Sequence, residues 1–211
     1  GEASITTGKI HTALVERELR GEYHGATITV VPHVTSEIKH RIITAAENSG
    51  ADIAIIEIGG VAGDIESSPY LEAIRQLKWE LGKNAINVHL TYVPYLKAAG
   101  ELKTKPTQHS VKELQSVCIQ PDILILRTEK HLEEGIMKKV ASFCNVDLDC
   151  VIQSEDLPSI YEVPVNMQNQ GLDTAILRKM GEPIGETPAL GPWKTFLDRR
   201  NKATEVVNIG L

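Results

Sequence analysis

Three acidic side chains lie at and just beyond the end of a short apolar run, within the stretch ADIAIIEIGGVAGDIESSPY at residues 51–70. Glu57 closes the run, and Asp64 and Glu66 follow in a loop that contains glycines. A continuous apolar run of this length, bounded by turn residues, is typical of a strand buried on both faces of a parallel sheet. An ionised carboxylate buried there without a partner would cost on the order of several kcal/mol. The pattern therefore predicts a divalent cation or a cationic ligand beside Glu57, and the alternative is an ordinary strand-to-helix connection with a solvated Glu57.

A basic loop forms the second chemically active stretch, GELKTKPTQHSVKELQSV at residues 100–117. Lys103 and Lys105 flank a threonine, and Ser110 with Glu113 gives the capping-box pattern of a helix start. Backbone N–H groups at a helix N-terminus, the helix dipole and nearby ammonium groups together favour a phosphate. Two interpretations stay open for this stretch, a phosphate site and a solvated lysine loop.

The composition limits the kinds of partner. The chain has 211 residues, a formal net charge of −6 and a sequence pI of about 5.7, so nonspecific binding to nucleic acid or to a membrane surface is not expected. The three cysteines show no CxxC spacing, which predicts reduced thiols in a cytoplasmic protein. The Gly-Lys pairs at residues 8–9 and 82–83 lack the other residues of a glycine-rich phosphate loop, so that motif is absent from the sequence.

Strands and helices alternate along the chain at the spacing of βα units. Strands are predicted at residues 27–31, 51–58, 86–93, 122–126 and 150–152. Helices are predicted at residues 36–49, 69–80, 110–117, 133–143, 172–180 and 193–201. The alternation predicts an α/β fold with a mostly parallel, doubly wound sheet. Ligands bind such sheets at the carboxyl ends of the strands, and the candidate residues follow predicted strands, at 57–66, 103–108, 127 and 155–157.

Two long segments resemble the synthetase (amidoligase) domain of the CTP synthase family. These are EIGGVAGDIESSPYLEAIRQL and GELKTKPTQHSVKELQSVCIQPDILI, and the shorter segments TTGKI, RGEYHGATITVVPHVTSEIK, SFCNV and SIYEVP agree with them. The resemblance runs from about residue 5 to residue 211. It implies a fold like that of P-loop NTPases of the dethiobiotin-synthetase kind. It also implies ATP-dependent amination of UTP to CTP, in which O4 of UTP is phosphorylated and ammonia from glutamine then displaces the phosphate.

The resemblance implies a set of site residues. Glu57 is expected to hold Mg²⁺, and Lys103 is the expected catalytic residue. UTP or CTP is expected at Asp64, Ile65, Glu66, Lys103, Thr104, Lys105, Pro106, Thr107, Gln108 and Lys139. The resemblance places Glu155, Asp156 and Leu157 by ATP, and Arg127 is also expected to bind ATP because it follows a predicted strand at the same sheet edge.

Parts of the family pattern are missing from these 211 residues. The phosphate loop, a further Mg²⁺-associated aspartate and the glutaminase domain have no counterpart, and Val61 stands where the family commonly has threonine. We therefore expect a partial amidoligase domain at residues 1–182, and a connector with a helix at residues 183–211 that leads to an absent glutamine amidotransferase domain. The fragment is expected to be inactive alone and to belong to a homotetramer with the pyrimidine site between subunits.

Two other functions stay open. One is a related dethiobiotin-synthetase-like ligase with another acceptor, against which the KTKPTQ loop argues. The other is a non-catalytic subunit that keeps the pyrimidine-nucleotide site as a sensor, which the missing phosphate loop suggests.

Overall fold

The computed structural model describes residues 4–186, 189–205 and 207. Its helices are α1 (Thr7–Leu19), α2 (Thr35–Ser49), α3 (Ser68–Leu81), α4 (Lys105–Ser116), α5 (Glu134–Cys144), α6 (Val163–Asn169), α7 (Leu172–Met180) and α8 (Gly191–Lys202). Its strands are β1 (Val88–Val93), β2 (Tyr95–Leu96), β3 (Glu101–Leu102), β4 (Ile123–Thr128) and β5 (Val151–Glu155). Five predicted helices are confirmed as α2, α3, α5, α7 and α8, because each carries the apolar stripe and end signals that the sequence showed.

A parallel sheet in the order β1-β4-β5 confirms the predicted α/β class. The carboxyl ends of the three strands lie in register, because Val93 pairs with Thr128 and Thr128 pairs with Glu155. Ile123 and Leu124 of the central strand β4 are fully buried, as expected for a continuous apolar run between two neighbouring strands. Helices α5 and α6 pack on β5, and β2 and β3 form a separate short antiparallel hairpin.

The chain forms two compact units. The first comprises residues up to Ala85 together with Ser110–Gln120, and the second comprises Ile86–His109 and the residues from Pro121 onward. The first unit has its own core, where α1, α2 and α3 bury Ile10, Leu14, Val34, Ile38, Ile42, Ala73 and Leu77. The second unit contains the parallel sheet and therefore the carboxyl strand ends at which ligands were expected.

The structure contradicts the strand predicted at residues 51–58. No strand occupies this segment of the described chain, and Ile53, Ile55 and Ile56 are 51%, 92% and 42% exposed. Glu57 is exposed as well. An apolar run becomes a strand only where a neighbour takes its backbone hydrogen bonds and covers its side chains, and no described strand pairs with this run. The predicted burial of Glu57, and with it the need for a compensating cation, is therefore wrong.

The strand predicted at residues 27–31 is also contradicted. Val30–Val34 forms a single π-type helical turn that leads into α2. The Thr29 N–H donates to Nδ1 of His33 at 3.0 Å, and the Thr29 hydroxyl donates to the Val31 carbonyl at 2.6 Å. These local bonds occupy groups that a sheet ladder would need, so side-chain hydrogen bonding outweighs the β-branched composition.

Helix starts were predicted less well than helix bodies. The capping-box pattern placed the start of α4 at Ser110, but α4 begins at Lys105 and Ser110 lies inside it. Pro106 fits the first turn of a helix, where its missing N–H costs nothing. The helices α1 and α6 were not predicted. In the part of the chain that the structure describes, no helix combines the length and the apolar character needed to cross a bilayer.

Candidate functional site

The carboxyl edge of the sheet brings together three of the predicted site segments. Arg127 is the penultimate residue of β4, and Glu155 is the last residue of β5. The N–H of Lys103 donates to the carbonyl of Pro94, the residue directly after β1, at 2.9 Å. After the β2–β3 hairpin the chain therefore returns to the end of β1, so Lys103, Arg127 and Glu155 lie at the ends of three adjacent strands.

The loop after β5 is anchored to the end of β4. The Asp156 N–H donates to the Thr128 carbonyl at 2.9 Å, and Oδ1 of Asp156 lies 3.9 Å from Nε of Arg127. Both charged side chains are exposed, so the ion pair is weak and either group is free to meet a ligand. Leu157 is partly buried and lines a groove of about 340 Å³ with residues of α6 and α8.

Buried hydroxyl groups fasten the start of α4 to β1. Thr107 is fully buried, and its Oγ1 donates to the Tyr92 carbonyl at 3.1 Å. Oγ1 of Thr91 lies 2.8 Å from Oγ1 of Thr107. Because the single Thr107 proton goes to the carbonyl, the Thr91 hydroxyl is the donor of this second bond. Nε2 of buried Gln108 donates to Oγ1 of Thr104 at 3.1 Å. These side chains position the loop from inside, and their binding of a nucleotide stays a prediction.

Lysines carry the exposed charge of this region. Lys105 opens α4 with its Nζ 6.0 Å from the ring centroid of Phe143 in α5. Lys139 precedes Phe143 by four residues, so the two lie on the same face of α5. The Phe143 ring thus brings the first residue of α4 to the face of α5 that bears Lys139. The result is a cationic surface at a helix N-terminus, where a phosphate is favoured.

The Lys103 ammonium forms an ion pair with Glu101, the first residue of β3. Both side chains are substantially exposed. An exposed pair of this kind contributes about 0–1 kcal/mol, so an anionic ligand can replace Glu101 at little cost. Lys103 is thereby held near the end of β1 with its charge accessible.

The acidic loop belongs to the first unit and is a tight glycine turn. The Val61 N–H donates to Oδ2 of Asp64 at 3.1 Å. Gly60 and Gly63 have φ values of 93° and 100°, which favour glycine. A Cβ at Gly63 would lie 3.3 Å from Oε2 of Glu113 in α4. The turn leaves the neighbouring Ile65 and Glu66 exposed, and Ile65 is 82% exposed.

Glu57 was predicted to hold Mg²⁺. Its exposed carboxylate lies two residues before Gly59, with Oε1 4.0 Å from the position of a Cβ at Gly59. A carboxylate oxygen suits Mg²⁺, which is commonly bound by one or two carboxylates plus water and substrate phosphates. The residue type therefore fits the ion, and the assignment of Mg²⁺ to Glu57 stays a prediction.

Across the described residues, one set of side chains has the spacing of a three-ligand metal site, and it comprises Asp147, Asp149 and Cys150. Both carboxylates already face cations: Asp147 is 2.7 Å from Nζ of Lys179, and Asp149 pairs with Arg178. The hydrogen bond from Arg178 lowers the pKa of Asp149, and burial raises the pKa of the Cys150 thiol. This set is an ion-paired anchor for the end of α7.

The comparisons with known proteins decide the family. A family model described as CTP synthase N-terminus matches residues 1–181. The chain belongs to the CTP synthase N-terminal family. A protein named CTP synthase from Bacteroides thetaiotaomicron is 63% identical over 210 residues, which are 99% of this chain and 39% of the relative.

Further members of the CTP synthase family agree. The CTP synthase of Porphyromonas gingivalis is 56% identical over 208 residues, and that of Carboxydothermus hydrogenoformans is 49% identical over 210 residues. In both comparisons the match covers 99% of this chain and 39% of the relative. The chain thus spans about two fifths of the length of the CTP synthases that it matches.

The sequence patterns indicated the loops at the ends of the strands, but they did not indicate the buried polar residues that bond to those loops. Thr91 and Gln153 are buried polar residues inside β1 and β5. Their signal in the sequence is a polar residue within an otherwise apolar strand, because a buried polar group needs a hydrogen-bond partner.

Proposed function

We propose that this chain is the nucleotide-binding core of a CTP synthase, an ATP-dependent C–N ligase that converts UTP to CTP. ATP transfers its γ-phosphoryl group to O4 of UTP, which leaves ADP, and ammonia then attacks C4 and displaces phosphate. Phosphoryl transfer depends mainly on positioning and charge neutralisation. The observation that carries the proposal is the placement of Lys103, Arg127 and Glu155 at three strands whose ends lie in register.

The triphosphate of UTP is assigned to the lysine surface. Lys105 lies over Phe143 at the N-terminus of α4, Lys139 is on the same face of α5 as Phe143, and Lys103 lies near the end of β1. Lysine is an effective point-charge partner for phosphate oxygens. Lys103 is assigned the catalytic role because it can exchange its weak Glu101 pair for developing negative charge. The family resemblance also assigns Asp64, Ile65, Glu66, Thr104, Pro106, Thr107 and Gln108 to the pyrimidine nucleotide, and we propose that role for each of them.

ATP is assigned to the ends of β4 and β5. Arg127 and Asp156 offer an exposed guanidinium and carboxylate, and Leu157 offers an apolar wall. Glu155 completes this set. Bound Mg²⁺ would neutralise phosphate charge, and Glu57 is the residue proposed to hold it.

The whole protein is proposed to be larger than this chain. Residues 1–182 would form part of the amidoligase domain, and residues 183–211 would connect it to a glutaminase that supplies ammonia from glutamine. We propose a homotetramer with the pyrimidine site between subunits. The three cysteines are free, which supports a reducing, cytoplasmic compartment.

The test is an assay of the complete natural polypeptide with UTP, ATP, Mg²⁺ and ammonia. CTP, ADP and phosphate should form in equal amounts, and omission of UTP should stop all three. UTP binding without CTP formation would instead support a non-catalytic pyrimidine-nucleotide subunit. Amination of another acceptor but not of UTP would support a dethiobiotin-synthetase-like ligase. The 211-residue chain assayed alone should form no CTP, because its sequence holds no phosphate loop.

A further inference from the structure

A side-chain amide completes the outer edge of β5. The Gln153 N–H donates to Oε1 of Gln170 at 2.8 Å, and Nε2 of Gln170 donates to the Gln153 carbonyl at 2.6 Å. A carboxamide that bonds both backbone groups of one residue takes the place of a neighbouring strand. Gln170 takes both backbone groups of Gln153 on one edge of β5, while β4 pairs with β5 along the opposite edge.

The side chain of Gln153 joins the loop after β4 to the end of β5. Gln153 is 6% exposed. Its Oε1 accepts from the Leu132 N–H at 2.9 Å, and its Nε2 donates to Oε2 of Glu155 at 2.9 Å. Nε2 also lies 3.2 Å from Nδ1 of His131. One buried amide therefore connects the loop after β4 to the end of β5. Its bond to Glu155 helps to orient that carboxylate, whose Oε2 also lies 3.6 Å from Nδ1 of His131.

We propose that Gln153, held by Gln170, is a positioning residue for the ATP site. It acts through Glu155 and the loop after β4, and its burial keeps it from contacting the nucleotide itself. This inference rests on the proposed function, since it takes Arg127 and Glu155–Leu157 as the ATP-binding residues. The physical reason is that a charged or polar residue binds a ligand well only when its own orientation is fixed by a second layer of hydrogen bonds.

The first test replaces the side-chain nitrogen of Gln153 with an oxygen. In the complete enzyme, Gln153→Glu keeps an oxygen for the Leu132 N–H but presents a second carboxylate oxygen to Glu155. We expect the KM for ATP to rise about tenfold, the loss of one charge-assisted hydrogen bond, while the KM for UTP stays within about twofold.

The second test reverses the hydrogen bond. In the double variant Gln153→Glu with Glu155→Gln, the amide at position 155 can donate to the carboxylate at position 153. The ATP KM of the double variant should fall below that of Gln153→Glu alone, so the two changes should be non-additive. Effects on the ATP KM that simply multiply would overturn the inference.

A matched control removes the same kind of bond elsewhere. Gln76 in α3 also donates from Nε2 to a glutamate, Oε1 of Glu72, at 2.8 Å. Gln76→Glu should leave the ATP KM within about twofold of wild type, since surface pairs contribute little. An equal ATP defect in both variants would overturn the positioning role. If the wild-type enzyme forms CTP but Gln153→Glu leaves its ATP KM unchanged, this inference alone fails. If the wild-type enzyme forms no CTP, the proposed function fails.

Discussion

Lys105 lies over the ring of Phe143, with its Nζ 6.0 Å from the ring centroid. The contact joins the first turn of α4 to the face of α5 that carries Lys139. Two lysines that are 34 positions apart in the sequence are thereby brought to one cationic surface. A surface of this composition at a helix N-terminus favours a polyphosphate.

Lys139→Ala should weaken UTP binding by the complete enzyme. The exposed ammonium of Lys139 has no role in the core, so its removal should raise the Kd for UTP about tenfold without changing stability. Lys138→Ala is the matched control, because Lys138 pairs with Glu134 at 2.7 Å one turn earlier on α5. We expect the control to change the Kd by less than about twofold. Equal losses in the two variants, measured by calorimetric titration, would argue against a specific role for Lys139.

Thr107→Val should destabilise the chain more than Thr91→Val. The first change leaves the Thr91 hydroxyl and the Tyr92 carbonyl without the buried Thr107 oxygen, and it should lower the free energy of unfolding by about 1–2 kcal/mol. The second change leaves the Thr107 bond to Tyr92 intact and should cost about half as much. Urea denaturation of the 211-residue chain measures both. A larger loss for Thr91→Val would show that the assigned direction of the hydrogen bonds is wrong.

The Glu72–Arg75 pair should make stability depend on pH below about 4.5. Hydrogen bonds from Arg75 and then Gln76 lower the pKa of Glu72 from 4.5 to about 2. A carboxyl with a lowered folded-state pKa stabilises the protein above its unfolded pKa, and this contribution is lost as the pH falls from 4.5 to about 2. Since the pair is on the surface, we expect no more than about 1 kcal/mol.

Comparison of wild type with Glu72→Gln measures that contribution. The difference in unfolding free energy should be largest near neutral pH and should shrink at the acid end of the range. It should also shrink in high salt, because exposed pairs are screened. A difference that grows as the pH falls would contradict the lowered pKa.

The strands of the parallel sheet and most of the helices could be predicted from the local spacing of apolar residues in the sequence. The run DILIL predicts β4 because a strand between two neighbours is apolar on both faces. The helix α7 matches its prediction, Leu172–Met180, because its apolar period and the glycines on either side are encoded within a few residues. Residues 51–58 have the same apolar signal as β4 but form no strand, since pairing depends on partners distant in sequence.

The sequence predicted the exposed residues of the candidate site, but it did not reveal the buried side chains that hold them in position. The spacing of Lys103, Arg127 and Glu155 after apolar runs was enough to place them at one sheet edge. The pairing of Gln153 with Gln170 leaves no periodic pattern, because a side-chain amide bonds a backbone 17 residues away. The lysine loop was likewise predicted as a loop, whereas Lys105–Ser116 is helical and Thr107 is buried.

The most direct test of the account is a calorimetric titration of the complete enzyme with UTP, comparing wild type with Lys103→Ala and Lys97→Ala. Lys97 is an exposed lysine of the same hairpin and serves as the matched control. We predict that Lys103→Ala raises the Kd for UTP at least about tenfold, because it removes an ammonium group from the phosphate surface, and that Lys97→Ala changes it by less than about twofold. Unchanged UTP affinity in Lys103→Ala would contradict the assignment of the triphosphate to this loop.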